Sequence, residues 1–301
     1  MSHQPAPKPP LSIIVACREP WPAIRVALDA LHPQVVAMNA EIIVAMNDPA
    51  TVAPDGKELY PAVRWLQGAR DDSVFRLRAF ALPQCRADII ALTEDHARVD
   101  TNWCGAILEA HAQYPEAAAI GGVVENGATE SIADWAAFLI INGRFMRPIR
   151  NGPSREISLQ SNVSYKRSAL PGSFPRFGLV TSTLHHELHE GGAMLVASNR
   201  MVVHHAQKLT LGSHSALHFH NARSTAGLLR IAAPASPWLA GYAVMLPKLV
   251  WRTVATGLRK RRHRRELIMG FPLIVWLVGC HAAGELIGHF MGPGDSPRRV
   301  N

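Results

Sequence analysis

Three short apolar runs constrain this chain most: Leu11-Ser12-Ile13-Ile14-Val15-Ala16-Cys17, Glu41-Ile42-Ile43-Val44-Ala45-Met46 and Ala87-Asp88-Ile89-Ile90-Ala91-Leu92. Each is short, rich in isoleucine or valine, and stops at polar or turn-forming residues, the pattern of a buried strand. Between and after them the periodicity turns helical, over about 23–31, 74–84, 103–114 and 131–141. Pro83 must end the second of these helices. Asp100 or Thr101 is the expected N-cap of the third, and Ser131 precedes the fourth. A further strand is expected over 117–124, with Gly121-Gly122 inside or ending it. Strands alternating with helices predict an α/β fold with a mostly parallel sheet flanked by helices, Rossmann-like in its first half. The Gly/Pro/Arg-rich stretch 142–154 then breaks the pattern and is long enough to act as a lid.

The third run breaks into Thr93-Glu94-Asp95-His96. Ligands of open α/β sheets collect at the carboxyl ends of strands. Two carboxylates and an imidazole there have the chemistry to hold a hard divalent cation against a diphosphate. The competing reading is a solvated turn.

Composition narrows the partners. The chain has 301 residues and a net charge of +8, much of it in Arg259-Lys260-Arg261-Arg262-His263-Arg264-Arg265. Such a balance suits nucleic acid, anionic lipid or phosphorylated substrates. The run is flanked by membrane-like apolar segments, which argues against nucleic acid. Cys17, Cys85, Cys104 and Cys280 lack paired metal spacing and read as free thiols of a reducing compartment. Residues 1–10 are Pro-rich without an apolar signal region, so a short disordered lead is expected.

The order of these motifs resembles a family-2 glycosyltransferase of the GT-A fold, over about residues 11 to 210. Ala16-Cys17-Arg18-Glu19 resembles the opening nucleotide-contact segment, and Glu41 to Asp48 the second strand, whose terminal acid contacts the base or ribose. Arg78 stands where the family usually has an arginine. Glu94-Asp95-His96 occupies the Asp-x-Asp position. Gln160-Ser161-Asn162-Val163-Ser164-Tyr165-Lys166-Arg167 resembles the acceptor-side segment, and Val202-Val203-His204-His205 the strand-end histidine. The resemblance implies a nucleotide-sugar donor bound by Ala16, Arg18, Glu19, Asp48, Arg78, Glu94 and Asp95. It implies a metal, Mn2+ or Mg2+, held by Asp95 and His96 with His204 or His205, and an acceptor side lined by Asn162. Trp135 is a candidate sugar-stacking residue there, with a core or wall role as the alternative. Histidine in place of the usual second aspartate favours manganese.

Inverting members of that family carry a carboxylate base at the start of the helix after the acceptor segment. Here that register falls on Thr181, which cannot act as a base near neutral pH. His185, His186 and Glu187 are the candidate replacements. The alternative is a domain that binds donor without transferring the sugar. His185 and His189 are four apart, but the segment does not match His-Glu-x-x-His, so a zinc site is disfavoured. His214, His218 and His220 are expected on a surface loop and helix, and Lys208 on a solvated loop.

From Pro234 the composition changes, and the expected division is a lead (1–10), a GT-A domain (11–225) and C-terminal membrane-associated helices (226–301) with a basic linker (259–265). The segment 238–258 is apolar but carries Lys248 and Arg252 on one face with Arg259. The segment 267–280 lacks charge, and continues to 291 only by admitting His281, Glu285 and His289. If both segments spanned, the basic linker would lie outside, against the positive-inside rule. Interfacial or re-entrant helices on anionic headgroups avoid that conflict. Gly284, Gly288 and Gly292 give a helix-packing spacing, through which a homo-oligomer could also form. The whole reads as a glycosyltransferase on the cytoplasmic face of the inner membrane, with a lipid-linked or envelope-polysaccharide acceptor.

Overall fold

In the computed structural model, residues 7–19, 21–48, 54–232 and 242–300 are described. Contacts divide the chain into two units: Met1–Val123 with Ile149–Val203, and Val124–Pro148 with His204–Asn301. The segment 124–148, expected in the first domain, thus groups with the C-terminal helices.

In the first unit the three apolar runs form β1 (Ser12–Cys17), β2 (Glu41–Met46) and β4 (Ile89–Glu94). All residues of β1 and β2 are buried, as expected of parallel strands covered on both faces. β3 (Val63–Gln67) lies at the sheet edge. The order β3-β2-β1-β4 is parallel throughout. β8 (Val163–Lys166) then joins β4 and β6 (Ala117–Asn126) in antiparallel sense, so the sheet is mixed rather than mostly parallel. β9 (Met194–His205), β5 (Ala97–Val99) and β7 (Gly152–Pro153) complete it.

α1 (Arg25–Met38) runs well past the expected end at 31, with Pro33 inside it. Its buried face of Ala27, Leu28, Leu31 and Val35 outweighs the hydrogen bond that proline removes, and Asn39 at φ 50° ends it. α2 (Pro54–Leu59) leads into β3. α3 (Val74–Ala81) is capped by the Ser73 hydroxyl, and Pro83 sits in the 3-10 turn that closes it. α4 (Trp103–Gln113) has Asn102, not Asp100 or Thr101, at its N-cap. Asp100 instead gives its carbonyl to the Trp103 N–H at 3.0 Å. α6 (Thr181–Glu190) precedes β9.

A buried carboxylate ties the far edge together. Glu41 accepts from Ser12 Oγ and the Arg86 N–H at 2.5 Å each, from Arg86 Nε at 3.0 Å and from Arg64 Nη1 at 3.2 Å. Those donors belong to β1, β3 and the turn before β4. Lys8, in the proline-rich lead, pairs with Asp88 at 2.6 Å; residues 1–6 lie outside the described residues.

The second unit is built from α5 (Ile132–Ile141), α7 (Leu211–Ala232), α8 (Tyr242–Lys260) and α9 (Arg264–Met291). Ser131 caps α5 through the Ala133 N–H at 3.1 Å. The two apolar segments expected near the C-terminus are α8 and α9; residues 233–241 lie outside the described residues. Gly284 and Gly288 let α9 approach the α7 backbone at Phe219 and Arg223, so this glycine stripe is a packing face within one chain. His214 and His218 are buried, contrary to the surface position expected, because that side of α7 faces the bundle interior. His214 Nε2 meets Asp134 Oδ1 of α5 at 2.7 Å, and the same oxygen accepts from the Leu209 N–H at 3.0 Å. Lys208 pairs with Glu130 at 2.7 Å, both exposed, as a solvated loop predicts.

Candidate donor site of the first unit

The parallel register puts Ala16 beside Glu94 and Cys17 beside Met46, so β1, β2 and β4 all end at one edge. Thr93 and Glu94 close β4, and Asp95 and His96 form the turn into β5. Thr93 Oγ1 donates to the Ser161 carbonyl at 3.0 Å, fixing that turn against the segment leading into β8. Glu94 and Asp95 are both buried. A solvated turn does not bury two adjacent carboxylates, so the sequence-level alternative for the tetrad falls away.

His96 Nδ1 lies 2.8 Å from Asp95 Oδ1, and its Nε2 3.7 Å from Glu94 Oε2. Burial alone would lower the imidazole's proton affinity. The Asp95 hydrogen bond and the charges of Glu94, Asp95 and Glu19 overcome it, and the pKa is raised. Arg78, from α3, reaches Glu94 Oε1 at 3.7 Å and is almost wholly buried. Burial lowers its pKa, opposed by Glu94 and Asp95. Its Nε and Nη1 have no hydrogen-bond partner among the described residues. Cys17 stays a thiol: burial, then the Asp95 carboxylate, push its pKa well up. All four cysteines are free.

The remaining candidates fall into distinct settings. Arg18, Glu19 and Asp48 are half-buried just past the ends of β1 and β2. Asn47, beside Asp48, donates to the Arg70 and Asp72 carbonyls at 3.2 and 3.4 Å and holds the loop before α3. Asn162 is fully buried, and its amide is committed within the sheet. It accepts from Trp103 Nε1 at 2.8 Å and donates to the Val123 and Met201 carbonyls at 2.7 and 3.0 Å. Thr181 is buried and donates its hydroxyl to Gln160 Oε1 at 2.8 Å. Of the three candidate bases, His185 is buried with Nε2 2.7 Å from the Tyr165 hydroxyl. His186 and Glu187 are exposed on α6.

Tyr165 belongs to the acceptor-side segment of the sequence, which gives it no role of its own. It is fully buried in β8, and burial raises its pKa while Arg78 opposes the rise. The available signal was the aromatic side chain two positions after Val163, on the same strand face. In the second unit, His204 and His205 are the last two residues of β9. Trp135 is buried there, with its ring 4.4 Å from that of His263 and 6.0 Å from that of Phe138.

No family model matches the sequence, and no curated protein matches it. Among solved structures, the chain resembles the mannosyltransferase PcManGT from Pyrobaculum calidifontis in complex with GDP-Man and Mn2+. The TM-score is 0.61, with 15% identity over 95% of this chain and 89% of that chain. S. aureus TarS 1-349 matches at a TM-score of 0.48 with 11% identity, over 92% of this chain and 90% of that one. The first likeness extends over nearly the whole chain, and the chain has the GT-A fold.

Proposed function

We propose that this chain is a glycosyltransferase that moves a sugar from a nucleotide-sugar to a lipid-linked or envelope-polysaccharide acceptor at a membrane. The observation that carries the reading is the Glu94-Asp95-His96 turn at the carboxyl edge of the parallel strands, its two carboxylates buried and Arg78 paired with Glu94. Departure of a nucleoside diphosphate builds negative charge on its phosphates, which needs fixed positive charge nearby. The carboxylates and imidazole of this turn suit Mn2+, which would supply that charge when bound. The two unpartnered Arg78 donors suit an anionic or ribose oxygen of the donor. Glu19 and Asp48, at the ends of neighbouring strands, suit the nucleoside.

The proton of the acceptor hydroxyl is assigned to α6. His185 is engaged with Tyr165, so the exposed His186 and Glu187 are the freer bases. Asn162 is assigned a structural role, since its amide is used inside the sheet. The membrane part of the reading draws on the second unit. α9 has 28 residues, long enough and apolar enough to cross a bilayer, and a third of its most apolar window is buried within the protein. Its α7-facing side is filled, which favours a helix lying in or on the membrane over a free span.

One observation favours a second reading: Thr181 stands at the family's base position with its hydroxyl held by Gln160. A domain of that kind would bind donor without turning it over. Incubation of the full chain with GDP-mannose or UDP-sugars, Mn2+ and a membrane lipid extract separates the two. The first reading predicts sugar transfer that Asp95→Ala abolishes. Turnover by Thr181→Glu alone, with none by the native chain, would establish the second.

A further inference from the structure

The basic run 259–265 does not act as one surface patch. Lys260 Nζ donates to the carbonyls of Met146 and Pro148, at 2.6 Å each. Arg262 Nη1 meets Glu125 Oε1 at 2.7 Å and the Arg147 carbonyl at 3.4 Å. The same Glu125 oxygen accepts from the Arg147 N–H at 3.3 Å. Two cations of the elbow between α8 and α9 therefore grip residues 146–148 from inside the second unit. The elbow is also strained: Arg261 and His263 have φ of 57° and 53°, which L side chains rarely adopt. Such a conformation persists only where its surroundings hold it. Here the Glu125–Arg262 pair and the His263 ring against Trp135 do so.

The other four cations, Arg259, Arg261, Arg264 and Arg265, are exposed. Beside them Trp251, Leu258, Ile268, Met269 and Phe271 are exposed as well, Trp251 to 70% and Ile268 to 73%. A row of arginines bordered by large apolar side chains complements an anionic bilayer surface: headgroups for the charges, acyl chains for the rest. Six arginine and lysine charges within seven residues repel one another, and that repulsion works against a strained turn. Anionic headgroups would remove it.

We infer that anionic lipid held by the outward arginines stabilises the 261–263 elbow and thereby fixes the 142–148 segment through Lys260, Arg262 and Glu125. The inference rests on the membrane reading given above and adds a coupling to it. It follows from linkage: a ligand that binds only the formed elbow stabilises whatever the elbow holds.

The test uses the full chain with phosphatidylcholine vesicles, with or without phosphatidylglycerol, read by co-sedimentation and by amide hydrogen exchange of the peptide spanning 142–150. The expected result is sedimentation with anionic vesicles and a severalfold slowing of exchange in that peptide, both reversed by high salt. Arg262→Gln and Glu125→Gln should sediment normally but lose the slowing; Arg262 is partly exposed, so its variant keeps the test valid if Glu125→Gln fails to fold. Arg259→Gln combined with Arg264→Gln and Arg265→Gln should lose both effects. Sedimentation without slowed exchange in the native chain would overturn the coupling alone. Absence of sedimentation would overturn the membrane reading with it. Equal slowing by phosphatidylcholine alone, or by an RNA polyanion, would overturn the assignment to anionic lipid.

Discussion

Glu41→Gln should destabilise the first unit by about 2–3 kcal/mol at pH 7, mostly through two lost ionic hydrogen bonds. The glutamine keeps an oxygen for Ser12 Oγ and the Arg86 N–H, but presents an NH2 to Arg86 Nε and Arg64 Nη1. A hydrogen bond to a charged partner contributes roughly 1.5–3 kcal/mol when buried. The arginine side chains are 51% and 40% exposed, so water screens each pair to about 1 kcal/mol. Weakening of the two shorter bonds adds about 1 kcal/mol. Thermal melts followed by circular dichroism should show a loss of roughly 4–12 °C, at about 2–4 °C per kcal/mol for a unit of this size. The pH dependence checks the cause. Burial alone would raise the Glu41 pKa, but Ser12 and Arg86 hold it below its ordinary value of 4.5. Its contribution is therefore present above about 4.5 and is lost as pH falls through the folded-state value. The gap between native and variant should close in acid. Equal stability at pH 7, or a gap that persists in acid, would refute the reasoning.

Three further outcomes are expected. His111 is buried against Ser164 Oγ, and burial, then Lys166, lower its pKa from 6.5 to about 4. The unfolded chain takes up that proton first, so stability should fall by up to about 3 kcal/mol between those pH values. His111→Gln should flatten that part of a denaturation-versus-pH curve. Asn162→Leu should cost more than about 3 kcal/mol in urea unfolding, because it strands the Trp103 indole N–H and two carbonyls; a stable variant with altered acceptor use would restore Asn162 to the acceptor side. Gly284→Leu should lower the melting temperature of the helical unit, since a Cβ there collides with the Phe219 backbone; an unchanged melt would mean that α7 and α9 do not meet closely.

The parts of the fold legible in the sequence are those where one local pattern has one structural meaning. β1, β2 and β4 are buried on both faces, so their side chains form unbroken apolar runs. β3 carries Arg64 and Gln67 because it lies at an edge, and no such run announces it. α1 passes Pro33 because its buried face continues to Val35, an override by packing that a breaker rule misses. The tetrad could be placed at a strand end, since strand ends are local. The pairing of Tyr165 with His185 could not, because those residues are twenty positions apart and meet only once β8 and α6 are in place. Histidines show the same limit: His214 and His218 look polar in sequence, yet Asp134 and the α7–α9 packing make them interior. The basic run reads as one patch until Glu125 and the 146–148 carbonyls draw two of its members inward.

The central claim is a nucleotide-sugar site at the Glu94-Asp95-His96 turn. Calorimetric titration of the detergent-purified chain with a panel of nucleoside diphosphates, with and without Mn2+, tests it most directly. Metal-dependent binding of one nucleotide, lost in Asp95→Ala while the variant stays folded, is the predicted result. Failure of every nucleotide to bind, or binding that survives Asp95→Ala unchanged, would contradict the claim.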